Sequence, residues 1–207
     1  MIIGIDAAST DLSLALAEPD GAVIEEVAWT TAQRQSAEIL PRLLELMERN
    51  GRGWDRVSAI VVGTGPGSFT GLRVAMALAK GLAVALERPI VGVPSLEAWL
   101  EAQADAVAAI ARAGAREAYM LTRDASAPVI VDRDALPQVA MVAPAELAVA
   151  FGLADARQPR AAGVMSRRAA ARLATDPGGD DVRTIEPIYL RAPRGMTTAN
   201  EGQVKWL

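Results

Sequence analysis

At 207 residues the chain is long enough to bury a real core in one or two compact domains. Its net charge of −4 and pI of about 5.0 make it, as a whole, a poor electrostatic match for nucleic acid. The absence of cysteine and histidine excludes disulfides, thiol nucleophiles, zinc–thiolate sites, a histidine general base and a serine triad of the usual kind from this chain.

The start, Met1 to Asp6, lacks the basic segment and small-residue cleavage site of a secretory signal, reads as a first core strand (Ile2 to Asp6), and leads to the expectation of a cytoplasmic protein. Leu12 to Ala17 and Val23 to Trp29 are further β-type runs, separated by Ser9-Thr10 and Pro19-Asp20-Gly21, and predict an antiparallel meander. A helix is predicted from Ser36 to Arg49, then a strand Ala59 to Val62, a glycine turn, a long helix to Leu86 and a strand Ile90 to Val93. Ser95 is the expected N-cap of a helix through Gln103, the link to the second half. There, strands are predicted at Ala106 to Ala111, Glu117 to Thr122, Pro128 to Val131 and Gln138 to Val142, with a helix from Pro144 to Phe151. A strand Gly163 to Ser166, a helix Arg167 to Ala174, the loop Pro177 to Asp181 and a last strand near Ile188 to Arg191 follow. No internal repeat is legible. The expected division is 1–100 for an N-terminal lobe, 101–194 for a smaller C-terminal lobe and 195–207 for a flexible tail.

An apolar fraction of 51% and a mean hydropathy of +0.20 are high for a chain of this size. Charges interrupt every run before about eighteen apolar residues accumulate, so a large protein interface rather than a membrane span is expected. Arginine is dense from Arg157 to Arg194, with Arg167, Arg168 and Arg172 on one predicted helix. A solvated helix face explains this more simply than an RNA surface.

Two helices have more apolar surface than one sheet face requires. On a wheel of about 100° per residue, Ile39, Leu40, Leu43, Leu44, Leu46 and Met47 spread over about 160°, against about 100° for a single contact. The helix after the glycine turn carries Leu72, Ala75, Met76, Ala79, Leu82 and Ala83 with only Arg73 and Lys80 as charges, and an all-round apolar helix is normally covered on both sides. Ala75, Ala79 and Ala83 would admit a second helix closely.

The most informative stretch is Val61 to Gly81, a buried-type strand that turns through Gly63, Gly65, Pro66, Gly67 and Gly71 into that helix, with Ser68 or Thr70 able to cap it. Such a strand, loop and helix N-terminus can hold phosphate. The specific fingerprints are absent: Gly71 is followed by Leu72 and Arg73 where a Walker A loop needs Lys and Ser or Thr, and Ser68 and Thr70 stand where dinucleotide motifs need glycine. A structural turn is the simpler reading, with Asp6, Gly65, Gly67 and Ser68 as the residues a nucleotide would use.

The segment Gly65-Pro66-Gly67-Ser68-Phe69-Thr70-Gly71-Leu72-Arg73 closely resembles the signature of the TsaB (YeaZ) family, dimerisation subunits of the bacterial tRNA threonylcarbamoyladenosine machinery. Ile3-Gly4-Ile5-Asp6-Ala7-Ala8, Gln35 to Pro41 and Gly92 to Ala98 extend the resemblance over about the first hundred residues, after which only Tyr119 and Pro187 to Arg191 look familiar. The resemblance implies an α/β, actin-like ATPase (ribonuclease-H-like, ASKHA) fold of two lobes, with mixed β-sheets flanked by helices. It implies a non-catalytic scaffold that pairs with a TsaD-type transferase, with a TsaE-type ATPase joining, tRNA reached through the complex, and a homodimer when alone. The two apolar helices would make that contact, through Ile39, Leu40, Leu43, Leu44, Met47, Leu72, Ala75, Met76, Ala79, Leu82 and Ala83. Leu43→Glu or Ala79→Trp is then expected to break the pair and leave the monomer folded.

Actin-type ATPases keep an aspartate at the end of the first strand, as Asp6 is here, but follow it two residues later with a glycine, where this chain has Ala8. Asp6 is therefore expected to cap the turn through Ser9 or Thr10 rather than act on a nucleotide metal. No metal, catalytic residue or tightly bound cofactor is expected, with ATP or ADP placed at most at the interface of the complex. The competing class is an ATP-dependent phospho- or carbamoyltransferase that uses Asp6 and the glycine loop.

Overall fold

The computed structural model describes residues 1–190. The expected tail, 195–207, and the end of the last predicted strand, Arg191, lie outside the described residues. The first half runs β1 (Ile2–Asp6), β2 (Asp11–Ala17), β3 (Val23–Thr30), α1 (Gln35–Arg49), β4 (Ala59–Gly63), α2 (Phe69–Leu86), β5 (Ile90–Val93) and α3 (Ser95–Ala102). The second runs β6 (Ala108–Arg112), β7 (Glu117–Thr122), β8 (Val129–Asp132), β9 (Met141–Val142), α4 (Ala145–Phe151), β10 (Ala156–Arg157) and α5 (Ala162–Thr175).

The first sheet has the order β3-β2-β1-β4-β5, with β1, β2 and β3 antiparallel and β4 and β5 added in parallel. Every residue of β1, β2 and β4 is buried, because helices cover both faces. On one face Ile3, Ile5, Leu12, Leu14, Leu16, Ile60 and Val62 pack under α1 and α2. On the other, Ile2, Ala17 and Val61 share a core with Val164, Met165 and Ala169 of α5 and with α3 and the second sheet. Gly4 is required there, since a Cβ would lie 2.6 Å from both the Ala162 carbonyl and the Ser166 hydroxyl.

The second sheet repeats the topology: β10-β9-β6-β7-β8, with β6, β7 and β8 antiparallel and β9 and β10 parallel. Sequence inspection missed this repeat because its helical parts have diverged. A 3-10 turn, Arg133–Ala135, stands at the place of α1, and β9 and β10 have shrunk to two residues each. The predicted strand at Gly163 to Ser166 is instead the first turn of α5; Ala162, Gly163, Val164, Met165 and Ser166 are all buried, and an all-apolar short run cannot distinguish a buried strand from a buried helix start. Ile188 to Leu190 form no strand, and Gln138 to Ala140 fall outside β9.

Residues 162–190, expected in the C-terminal lobe, return to the first sheet. The turns that start α4 and α5 lack caps of their own, and first-lobe side chains supply them. Asp11 accepts the Ala145 N–H at 2.7 Å, Ser13 accepts that of Ala162 at 3.1 Å and Glu26 that of Gly163 at 3.0 Å. Among the described residues, several arginines of this stretch are paired internally: Arg168 with Glu97 and Glu101 of α3, Arg172 with Asp180, Arg160 with Glu26 and Arg157 with Asp105. These pairs join elements of this chain.

The expected tolerance of Leu43→Glu and Ala79→Trp is overturned, because both side chains are fully buried in the subunit's own core. Even Leu43→Ala should cost about 2–5 kcal/mol of stability in urea denaturation, the range for deleting a buried leucine side chain.

Candidate functional site

The glycine turn after β4 is held by backbone contact with the β1–β2 turn. Ser68 N–H donates to the Ala8 carbonyl at 2.7 Å, and a Cβ on Gly67 would collide with that same carbonyl, as one on Gly71 would with the Ala7 carbonyl. Gly65 sits at a φ of +87°, in the region that favours glycine. Ser68 is the N-cap of α2 and accepts the Gly71 N–H at 3.2 Å, as one of the two capping alternatives anticipated. Of the groups a phosphate would use, the Ser68 N–H, the Ser68 hydroxyl oxygen and the Gly65 N–H are engaged within the chain.

Asp6 is buried at the end of β1. Its Oδ2 accepts the Trp99 Nε1–H at 2.6 Å, and its Oδ1 accepts the Ser95 hydroxyl at 3.0 Å and the Ala8 N–H at 3.3 Å. Ser95 Oγ in turn accepts the Gly65 N–H at 3.1 Å. Two expectations are corrected here. Ser95 does not cap α3, whose N-cap is Pro94, and Asp6 caps no turn through Ser9 or Thr10: the Ser9 hydroxyl serves Asp11 instead. The donor that sequence reasoning missed is Trp99, four residues beyond Ser95 and so on the same face of α3. Burial pushes the Asp6 carboxyl above its ordinary range, and the three hydrogen bonds offset this only in part. Among the described residues no cluster of three or more carboxylates is arranged to hold a metal ion.

The structure divides the predicted docking residues into two sets. Ile39, Leu43, Met47, Leu72, Ala75, Met76, Ala79 and Ala83 point into the subunit's own core, whereas Leu40 and Leu44 are exposed and Leu82 is half-buried. The outward line of α2 is a different one: Arg73, Ala77, Gly81, Val84 and Ala85, with Val84 63% exposed. A Cβ on Gly81 would meet nothing within 4 Å. The small residues predicted to admit a second helix, Ala75, Ala79 and Ala83, thus admit the sheet, and Ala77 and Gly81 are the small residues left outside. The signal was present in the two charges of α2: Arg73 and Lys80 are seven residues apart and mark the solvent side. By length and composition α2 could cross a membrane, but its inner face packs on the first sheet.

Two lobes of one repeated mixed-sheet topology, with a buried aspartate ending the first strand, define an actin-like, ribonuclease-H-like α/β protein. The fold is that of YeaZ from Pseudomonas aeruginosa, with a TM-score of 0.71 and 22% identity over 91% of this chain and 99% of that one. Residues 22–196 match the model of the family described as TsaD, tRNA N6-adenosine threonylcarbamoyltransferase. The chain is 37% identical over 101 residues to TsaB, the tRNA threonylcarbamoyladenosine biosynthesis protein of Haemophilus influenzae, a match covering 46% of this chain and 42% of that protein. It is 40% identical over 88 residues to a tRNA N6-adenosine threonylcarbamoyltransferase of Syntrophobacter fumaroxidans, covering 42% of this chain and 25% of that protein. The chain belongs to this threonylcarbamoyltransferase-related family, as a TsaB (YeaZ)-type member. The matches span less than half the length of these curated relatives.

Asp6 binds its proton more tightly folded than unfolded, so its contribution to stability is present below the ordinary value of 3.8 and is lost as pH rises through the folded-state pKa. The stability advantage of wild type over Asp6→Asn, measured by urea denaturation from pH 4 upward, should therefore shrink with rising pH. An advantage that grew would show that the carboxylate, not the acid, is the favoured form. Gly67→Ala should destabilise the chain, because the colliding atom is backbone.

Proposed function

We propose that the chain is a non-catalytic subunit of the tRNA N6-threonylcarbamoyladenosine machinery that docks on a TsaD-type transferase through the outward faces of α1 and α2. The observation that carries this is the division of labour in those helices: their inner residues build the subunit's core, while Leu40, Leu44, Ala77, Gly81, Val84 and Ala85 leave an apolar face uncovered in the described residues. The family match, residues 22–196, includes both helices. A transferase of the same family carries related helices, so the two can pair about an approximate two-fold axis, and a second copy of this chain can take the same place when the partner is absent.

The non-catalytic part of the reading is supported by the engagement of Asp6, Ser68 and Gly65 inside the chain, and by the caps that tie the two lobes together where an ATPase of this fold would hinge. ATP or ADP then belongs to the complex, at the contact with a TsaE-type ATPase, and tRNA is reached through the transferase in the cytoplasm.

The deciding experiment combines transferase, ATPase and threonylcarbamoyl-adenylate synthase with tRNA, threonine, bicarbonate and ATP, and scores threonylcarbamoyladenosine with and without this chain. Product should vanish on omission and return with wild type. Leu44→Glu and Val84→Glu, at positions 45% and 63% exposed, should fold normally, weaken transferase binding by about 30-fold or more and fail to restore product. Product unaffected by omission, or ATP turnover by the isolated chain, would return the enzyme class to contention.

A further inference from the structure

Beyond α5 the chain turns back over the open edge of the first sheet, where Asp180 ties it to β5. The Asp180 N–H donates to the Ile90 carbonyl at 2.8 Å, and Asp180 Oδ2 accepts the Gly92 N–H at 2.8 Å, so its carboxylate stands where the carbonyl of a sixth strand would be. Arg172 of α5 grips the same carboxylate with both Nη atoms, at 3.0 and 2.6 Å. Gly179, at a φ of +66°, lets the backbone approach this closely; a Cβ there would lie 2.5 Å from the Ile90 carbonyl oxygen. Burial works to raise the Asp180 carboxyl, but Arg172 and the Gly92 N–H outweigh it and hold it below its ordinary range.

The segment then follows the ends of the parallel strands. Ile185 packs over Gly92, and the Ile188 N–H donates to the Thr64 carbonyl at 2.7 Å, at the root of the glycine turn. Tyr189 rests on Phe69, the first residue of α2, with ring centroids 5.4 Å apart, and the Arg73 guanidinium lies over the same Phe69 ring, 5.1 Å from its centroid. The contacts thus run from α5, through Asp180 and the edge of β5, to the N-terminal turn of the helix assigned to docking.

We propose that residues 176–190 form a strap, latched at Asp180, that positions the N-terminal turn of α2 for the partner. The proposal rests on the reading of α1 and α2 as the docking face. Its latch is a property of the subunit alone and is measured separately.

Hydrogen–deuterium exchange on the full chain tests the latch, and titration with a TsaD-type transferase tests the positioning. Asp180→Asn should speed exchange at Gly92 and Ile188 by about tenfold and weaken transferase binding roughly fivefold, with the exchange of β1 and β2 unchanged. Arg183→Ala, which removes an ion pair with Asp181 local to the exposed side of the strap, should alter neither. Tyr189→Ala, usable even if Asp180→Asn does not fold, should leave Gly92 protected and still weaken binding. Wild-type protection at Ile188 in Asp180→Asn overturns the latch. Undiminished binding by an opened strap, or by Tyr189→Ala, overturns the positioning. A wild-type chain that binds no transferase removes the docking reading and the positioning with it, while the exchange at Gly92 and Ile188 still decides the latch.

Discussion

The buried carboxyl of Asp6 places a strongly solvated group where no water reaches, a placement tolerable only if donors are supplied from the protein. Trp99 and Ser95, both on α3, and the Ala8 amide just beyond β1 supply them. Because Ser95 also takes the Gly65 amide, the end of β1, the glycine turn and α3 become one hydrogen-bonded unit. Loss of the Trp99 donor would leave the buried Oδ2 unsatisfied, at a cost of about 1–3 kcal/mol. The end of β4, the start of α2 and the junction between the lobes all take their positions from this network.

That network also draws the groups a phosphate would need into contacts within the chain. The aspartate at the end of the first strand is enclosed, and the glycines that could have cradled a phosphate instead allow backbone to touch backbone at Ala7 and Ala8. Side chains of the first lobe cap the helices of the second, so the lobes meet through hydrogen bonds and a continuous apolar core.

The order of elements in the first lobe, the capping of α2 by Ser68 or Thr70 and the excess apolar surface of α1 and α2 were legible in the residues, because each depends on local periodicity or turn chemistry. The second lobe was legible as strands and helices but not as a repeat. Its two-residue strands and missing first helix leave topology intact while erasing the pattern by which a repeat is recognised in sequence. Gly163 to Ser166 misled for a related reason: a short apolar run carries no period of its own.

By itself, the sequence determined that this is an α/β chain without thiol or imidazole chemistry, with a strand, glycine turn and apolar helix at its centre and two helices more apolar than one sheet requires. Only the tertiary structure decided which side of those helices faces in. Leu43 and Ala79 look outward-capable on a wheel, but the sheet takes them, and Leu44, Gly81 and Val84 remain outside. Hydrophobicity is non-directional, so a helix apolar all round can satisfy its sheet with any of several faces. The choice among them is made by contacts distant in sequence: Ser68 on Ala8, Asp6 on Trp99, and α5 against the far side of the same sheet.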